Sequence, residues 1–248
     1  MIDWKSKFDK IYCLHYLPNK DRVNNIYKEL EKVGLLDTDI FEWYITYPSG
    51  MDEIKIKSLL KYKNGPVSRH FGKGAYNCTL GHYSIIKTAY ELGYNHIMIM
   101  EDDIEFLNDT NIVENIINNI PDDYNVISFD IGNDGTNTPY ENMMNIVNNP
   151  NNKINDYFVK YNHNMGASSG CYALSRKGMK HIIDGQERKF MPADYYTSNE
   201  HDSFLITWPN IMCIQRNYSK CMTNTNTNID WIGYLDKMLK RNRSDYEN

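Results

Sequence analysis

Glu101, Asp102 and Asp103 are three consecutive acids that directly follow the apolar run "HIMIM" at 96–100. An apolar run without alternation reads as a strand covered on both faces. Ligands of open α/β sheets bind beyond the carboxyl ends of such strands. If extended geometry persists through the acids, Glu101 and Asp103 point to one side and Asp102 to the other. Two carboxylates aimed together suit Mg²⁺ or Mn²⁺, which take oxygen ligands and complete their shells with water and substrate phosphates. Without a cation they would repel one another and raise each other's pKa. The competing reading is a solvated acidic turn or an acid-rich helix start, because charge runs usually face water. The residues alone leave these two readings balanced.

The elements that must position the acids alternate along the chain. "KIYCLHY" (10–16) predicts a first strand. Val23, Ile26, Tyr27, Leu30 and Val33 then recur at helical spacing, with Asn19 or Asp21 to open the helix and Gly34 to close it. A strand is expected at 41–47, a short helix at 53–63, a strong helix at 78–93 ending in Gly93, the "HIMIM" strand, a helix at 111–120 and a strand at 125–132. This order predicts an α/β fold with a largely parallel sheet and helices on both sides. Residues 133–156 form a polar stretch without a convincing element, as in functional flaps or disorder. A strand at 170–175, a helix at 175–184 capped by Ser175, a strand at 211–215 and a helix at 229–240 follow. We expect one domain over 1–240 and a polar, disordered tail at 241–248.

Bulk properties exclude several classes. The chain has 248 residues and a net charge of −5, with no basic cluster, so nucleic acid is not an expected partner. No stretch approaches the length of a membrane-spanning helix. The N-terminus lacks a signal-peptide core and the C-terminus a retention signal. Five scattered cysteines, none paired at zinc-site spacing, read as reduced structural thiols of a cytoplasmic protein.

The segment "GAYNCTLGHYSIIKTAYELGYNHIMIMEDDIEF" (74–106) resembles glycosyltransferase family 25, whose members show a Cys-Ala-Leu-Ser-His-like helix start and an apolar strand ending in Glu-Asp-Asp. Gly81 stands where that family commonly has Ser, and His82 is retained. "LHYLPNKDR" (14–22), "GCYALSRKGMKHII" (170–183), "FMPADYYTSNEHDSF" (190–204) and "WPNIMCIQ" (208–215) resemble further family segments in the right order. His15 departs from a usual Asn, and Asp130 from a usual apolar residue.

The resemblance implies a type A glycosyltransferase (Rossmann-like) fold. It implies an inverting hexosyltransferase that moves sugar from a nucleotide-diphosphate donor, such as a UDP-sugar, to a hydroxyl of a glycan or of hydroxylysine. Asp103, with Glu101, would bind Mn²⁺ or Mg²⁺. Arg22, His82, Glu101 and Asp102 would contact the nucleotide sugar. A metal on the diphosphate offsets charge on the leaving group, and inversion needs a base on the acceptor side. Asp194 is the expected base, with Pro192 fixing its approach and Glu200 and Asp202 as alternatives. His201 is a further candidate for the metal shell. Each has a plainer alternative: a helix N-cap for Asp194, an ion pair for Arg22, a cap or core role for His82. A metal-dependent diphosphate hydrolase and a non-catalytic sugar-binding relic are the rival functions.

Overall fold

In the computed structural model, the described residues are 2–16, 20–46, 73–107, 109–130, 145–161, 169–198, 203–208, 210 and 212–215. The expected helices at 53–63 and 229–240, the tail, and Glu200, His201 and Asp202 lie outside them, as does the first half of the 133–156 stretch.

Nine strands are described: β1 (Lys10–Tyr16), β2 (Phe41–Thr46), β3 (His96–Glu101), β4 (Ile104–Phe106), β5 (Val126–Ser128), β6 (Phe158–Lys160), β7 (Cys171–Ser175), β8 (Phe204–Thr207) and β9 (Cys213–Gln215). Five α-helices longer than one turn accompany them: α1 (Lys20–Lys32), α2 (Lys73–Glu91), α3 (Thr110–Asn118), α4 (Arg176–Arg188) and α5 (Ala193–Ser198). Seven strands form one sheet in the order β2-β1-β3-β7-β5-β8-β6, and β4 pairs with β9 apart from it.

The parallel arrangement expected from strand–helix alternation is present in β2-β1-β3. Beyond that the sheet is mixed. β7 lies antiparallel between β3 and β5, and β6 is antiparallel to β8, while β5 and β8 are parallel. Alternation along the sequence holds only through β5. After it the chain returns from the opposite end of the sheet, which a pattern of apolar runs does not encode.

Side-chain parity divides the sheet into two faces. Ile11, Cys13, Met98, Met100, Cys171 and Ala173 share a core with Ile26 and Leu30 of α1 and with Val113, Ile116 and Ile117 of α3. The alternate residues point the other way, where His82 of α2 meets Tyr172. Ile97 to Met100 are all fully buried, as a strand covered on both faces requires.

The helix ends follow local chemistry. Gly34 and Gly93 adopt φ of 69° and 87°. Leu35 N then donates to Leu30 O at 2.9 Å and Tyr94 N to Ala89 O at 3.1 Å, the six-to-one bond of a Schellman stop. Ser175 caps α4 as expected, accepting from Gly178 N at 3.2 Å. Asp21 falls inside α1 rather than before it, and Asn19 lies outside the described residues.

Gly178 carries the close approach of α4 to the sheet. A Cβ there would overlap the Asn125 carbonyl oxygen and lie 2.8 Å from its carbon. That oxygen also accepts from Ser175 N at 3.1 Å, so it is not loose. Gly178→Ala is therefore expected to destabilise the fold by about 1–3 kcal/mol, read as a lower urea midpoint at unchanged slope.

Candidate active site

The acid run lies at the carboxyl ends of β1 and β3, where Leu14 pairs with Glu101. Its three members go to two different sides. Glu101 is the last strand residue and follows the parity of Ile97 and Ile99 toward α2. Asp102 takes the opposite side, toward α1. The chain turns at Asp102–Asp103, so strict alternation ends there. Asp103 shares the Arg22 guanidinium with Asp102. The expected pairing of Glu101 with Asp103 assumed extended backbone, and the segment turns instead.

On the α1 side Asp102 is 3% exposed. Its Oδ2 meets His15 Nδ1 at 2.7 Å, and its Oδ1 accepts from Arg22 Nη1 at 2.7 Å. The same Arg22 nitrogen lies 3.1 Å from Asp103 Oδ2. Arg22 is therefore ion-paired, as its plainer alternative held, but with the acid run itself. Its position comes from docking of α1. Glu29, two turns further along that helix, accepts from Phe106 N at 2.9 Å, and Lys32 Nζ donates to Phe106 O at 2.7 Å. Those bonds pin the strand just after the acids. Two buried carboxylates thus converge on one guanidinium, an arrangement of oxygen donors beside which a cation could bind.

On the α2 side Glu101 Oε1 accepts from Ser169 Oγ at 2.9 Å, from His82 Nε2 at 3.2 Å and from Cys78 Sγ at 3.6 Å. Burial pushes the Glu101 carboxyl up, but the bonds from His82, Ser169 and Cys78 outweigh it and hold the carboxyl below its usual range. Ser169 is delivered by the start of β7, where Gly170 O accepts from Glu101 N at 2.7 Å. His82 is 2% exposed, and its Nδ1 meets the Tyr172 hydroxyl at 2.8 Å. It is not at a helix start: α2 begins at Lys73, so His82 lies more than two turns inside. The earlier start was hidden by Gly74 and Asn77, poor helix formers that blur the periodicity. The anion-binding argument for His82 from a helix N-terminus therefore fails, and a buried positioning role replaces it.

Asp194 sits in the first turn of α5, past the cap position that was its plainer alternative. That helix is tied to α2 by Ala193 N donating to Thr79 Oγ1 at 3.0 Å. Thr79 neighbours Cys78, so Asp194 is brought to the Glu101 side of the site. Burial raises its pKa, the charge of Glu101 raises it further, and His82 and backbone amides pull it down. The net direction is upward, toward what a general base at neutral pH needs.

The arrangement thus brings together Arg22, Asp102 and Asp103 on one side and His82, Glu101 and Asp194 on the other. Sequence reasoning missed His15 as the partner of Asp102, although His15 stood out as unusual. It also missed Cys78, which shares a helix face with His82 at a spacing of four.

Solved structures similar to this chain include the galactosyltransferase LgtC in complex with donor and acceptor sugar analogs, at 10% identity and a TM-score of 0.42, over 79% of this chain and 72% of that one. Mouse xyloside xylosyltransferase 1 matches at 8% identity and a TM-score of 0.37, over 76% of this chain and 80% of that one. The glycosyltransferase GlyE of Streptococcus pneumoniae TIGR4 matches at 11% and 0.35, over 75% of this chain and 40% of that one. All three likenesses are loose. No curated protein sequence matches the chain. No described helix is long and apolar enough to cross a membrane. Residues 10–197, which hold both halves of the acid site, match the family described as glycosyltransferase family 25 (LPS biosynthesis protein), and the chain belongs to that family of glycosyltransferases.

Proposed function

We propose that this chain is an inverting hexosyltransferase of the type A fold class. Its donor is a nucleotide-diphosphate sugar, with UDP as the nucleotide, and its acceptor is a hydroxyl of a glycan or of hydroxylysine. The observation that carries this reading is the pair of buried carboxylates, Asp102 and Asp103, gathered by one guanidinium at the carboxyl end of β3. Carboxylate oxygen donors fit Mn²⁺ or Mg²⁺. Asp103 would hold the cation, and Asp102, locked by His15 and Arg22, would keep that turn in place. When bound, the cation supplies charge neutralisation on the departing diphosphate. Arg22 sets fixed positive charge beside the same position. Asp194 takes the proton of the acceptor hydroxyl, and His82 orients Glu101 on that side.

The experiment is a donor panel of UDP-, GDP- and CMP-hexoses, with glycan and hydroxylysine acceptors, in Mn²⁺ or EDTA. The expected result is glycosylated acceptor from a UDP-sugar in Mn²⁺, with at least about a tenfold loss in EDTA. Nucleotide release without acceptor glycosylation would make the chain a hydrolase and overturn the reading.

A further inference from the structure

We infer that Cys78, His82 and Glu101 form a site for a borderline-soft divalent cation of the Zn²⁺ type, separate from the aspartate pair. Among the described residues this is the one group of three thiol, imidazole or carboxylate ligand atoms lying within 4.8 Å of one another. Cys78 and His82 are four apart on α2, so both project from one helix face. Glu101 approaches them from the end of β3.

The two edges that meet at Glu101 have close to the lengths of a tetrahedral shell, and the third, between Cys78 and His82, lies within 4.8 Å. Zinc bound at about 2.3 Å to sulfur and about 2.0–2.1 Å to nitrogen or oxygen separates its ligand atoms by roughly 3.3–3.6 Å. Glu101 Oε1 lies 3.2 Å from His82 Nε2 and 3.6 Å from Cys78 Sγ. The mixture of sulfur, nitrogen and oxygen is wrong for Mg²⁺ and right for Zn²⁺ or Co²⁺.

The surroundings match as well. A ligating histidine almost always has its other ring nitrogen held by a polar group, and Tyr172 Oη stands 2.8 Å from His82 Nδ1. Tyr172 is 1% exposed, so that partner is locked in the core. Ser169 Oγ at 2.9 Å orients the Glu101 carboxylate. Binding releases the Cys78 thiol proton to solvent, and the His82 proton moves to Nδ1, where it is donated to Tyr172. The described residues offer three protein ligands, and a tetrahedral shell takes a fourth, water in a catalytic-type site. Occupancy replaces the His82–Glu101 bond, and on the transferase reading above it therefore inhibits sugar transfer.

The test is titration of the full chain with Co²⁺, followed by its near-ultraviolet thiolate-to-cobalt absorption. One equivalent should produce the band, and Zn²⁺, but not an equal concentration of Mg²⁺, should remove it. Cys78→Ser should abolish the band. Tyr172→Phe should weaken Co²⁺ binding about ten- to a hundredfold while the band persists at saturation. Absence of the band in the wild-type chain at saturating Co²⁺ overturns the inference without recourse to any variant. So does a band that survives in Cys78→Ser. One equivalent of Zn²⁺ should also lower Mn²⁺-supported transfer at least about tenfold. A chain that binds Co²⁺ as described yet transfers no sugar would sink the transferase reading and leave the cation site standing.

Discussion

Asp103→Ala is expected to lower kcat for sugar transfer by about a thousandfold or more. On the proposed reading Asp103 would hold the cation, and its removal would take away the charge neutralisation that the cation supplies to the leaving diphosphate. The fold should persist, because the neighbouring Asp102 anchor remains. Arg22 keeps its 2.7 Å bond to Asp102, and Asp102 keeps its 2.7 Å contact with His15. The far-ultraviolet circular dichroism and the urea midpoint should therefore stay close to wild type. Added Mn²⁺ should not restore the rate. Unchanged turnover in Asp103→Ala would remove Asp103 from the chemistry.

Asp194→Asn is expected to lower kcat by about a hundred- to ten-thousandfold while leaving the KM for the donor sugar nearly unchanged. The asparagine keeps the size of the side chain and the start of α5 but cannot accept the acceptor's proton. Wild-type turnover should fall toward acid pH with an apparent pKa above the usual aspartate range. The sign follows from the site: burial and the charge of Glu101 raise the Asp194 pKa, so the working carboxylate is lost as pH drops through that raised value. A pH profile flat across that region, or normal transfer by Asp194→Asn, would assign the base elsewhere.

How much of this was legible in the sequence depended on distance along the chain. β1, α1, β3 and the Schellman stops at Gly34 and Gly93 rest on local periodicity and local backbone chemistry, and the sequence carries both. The acid run was legible as a site because an apolar strand delivers it to a sheet edge. Its internal geometry was not legible. Whether Asp103 faces α1 or α2 depends on a turn beginning at Asp102, and that turn is held by Arg22 and by the grip of Glu29 on Phe106 N, about eighty residues apart in sequence. The antiparallel entry of β7 was equally hidden, since pairing direction leaves no mark on a short apolar run. β6 and β8 escaped because three- and four-residue buried strands are too short for periodicity to register. His82 was misplaced because Gly74 and Asn77 near the start of α2, and Gly81 beside it, break the helical pattern, while tertiary packing holds the helix together.

The most direct measurement is calorimetric binding of a UDP-sugar to the wild-type chain and to Asp103→Ala, each in Mn²⁺ and in EDTA. The account predicts binding by the wild-type chain in Mn²⁺, weakened at least about tenfold in EDTA, and no gain from Mn²⁺ in Asp103→Ala. Equal affinity in all four conditions would contradict a metal–diphosphate site at the end of β3.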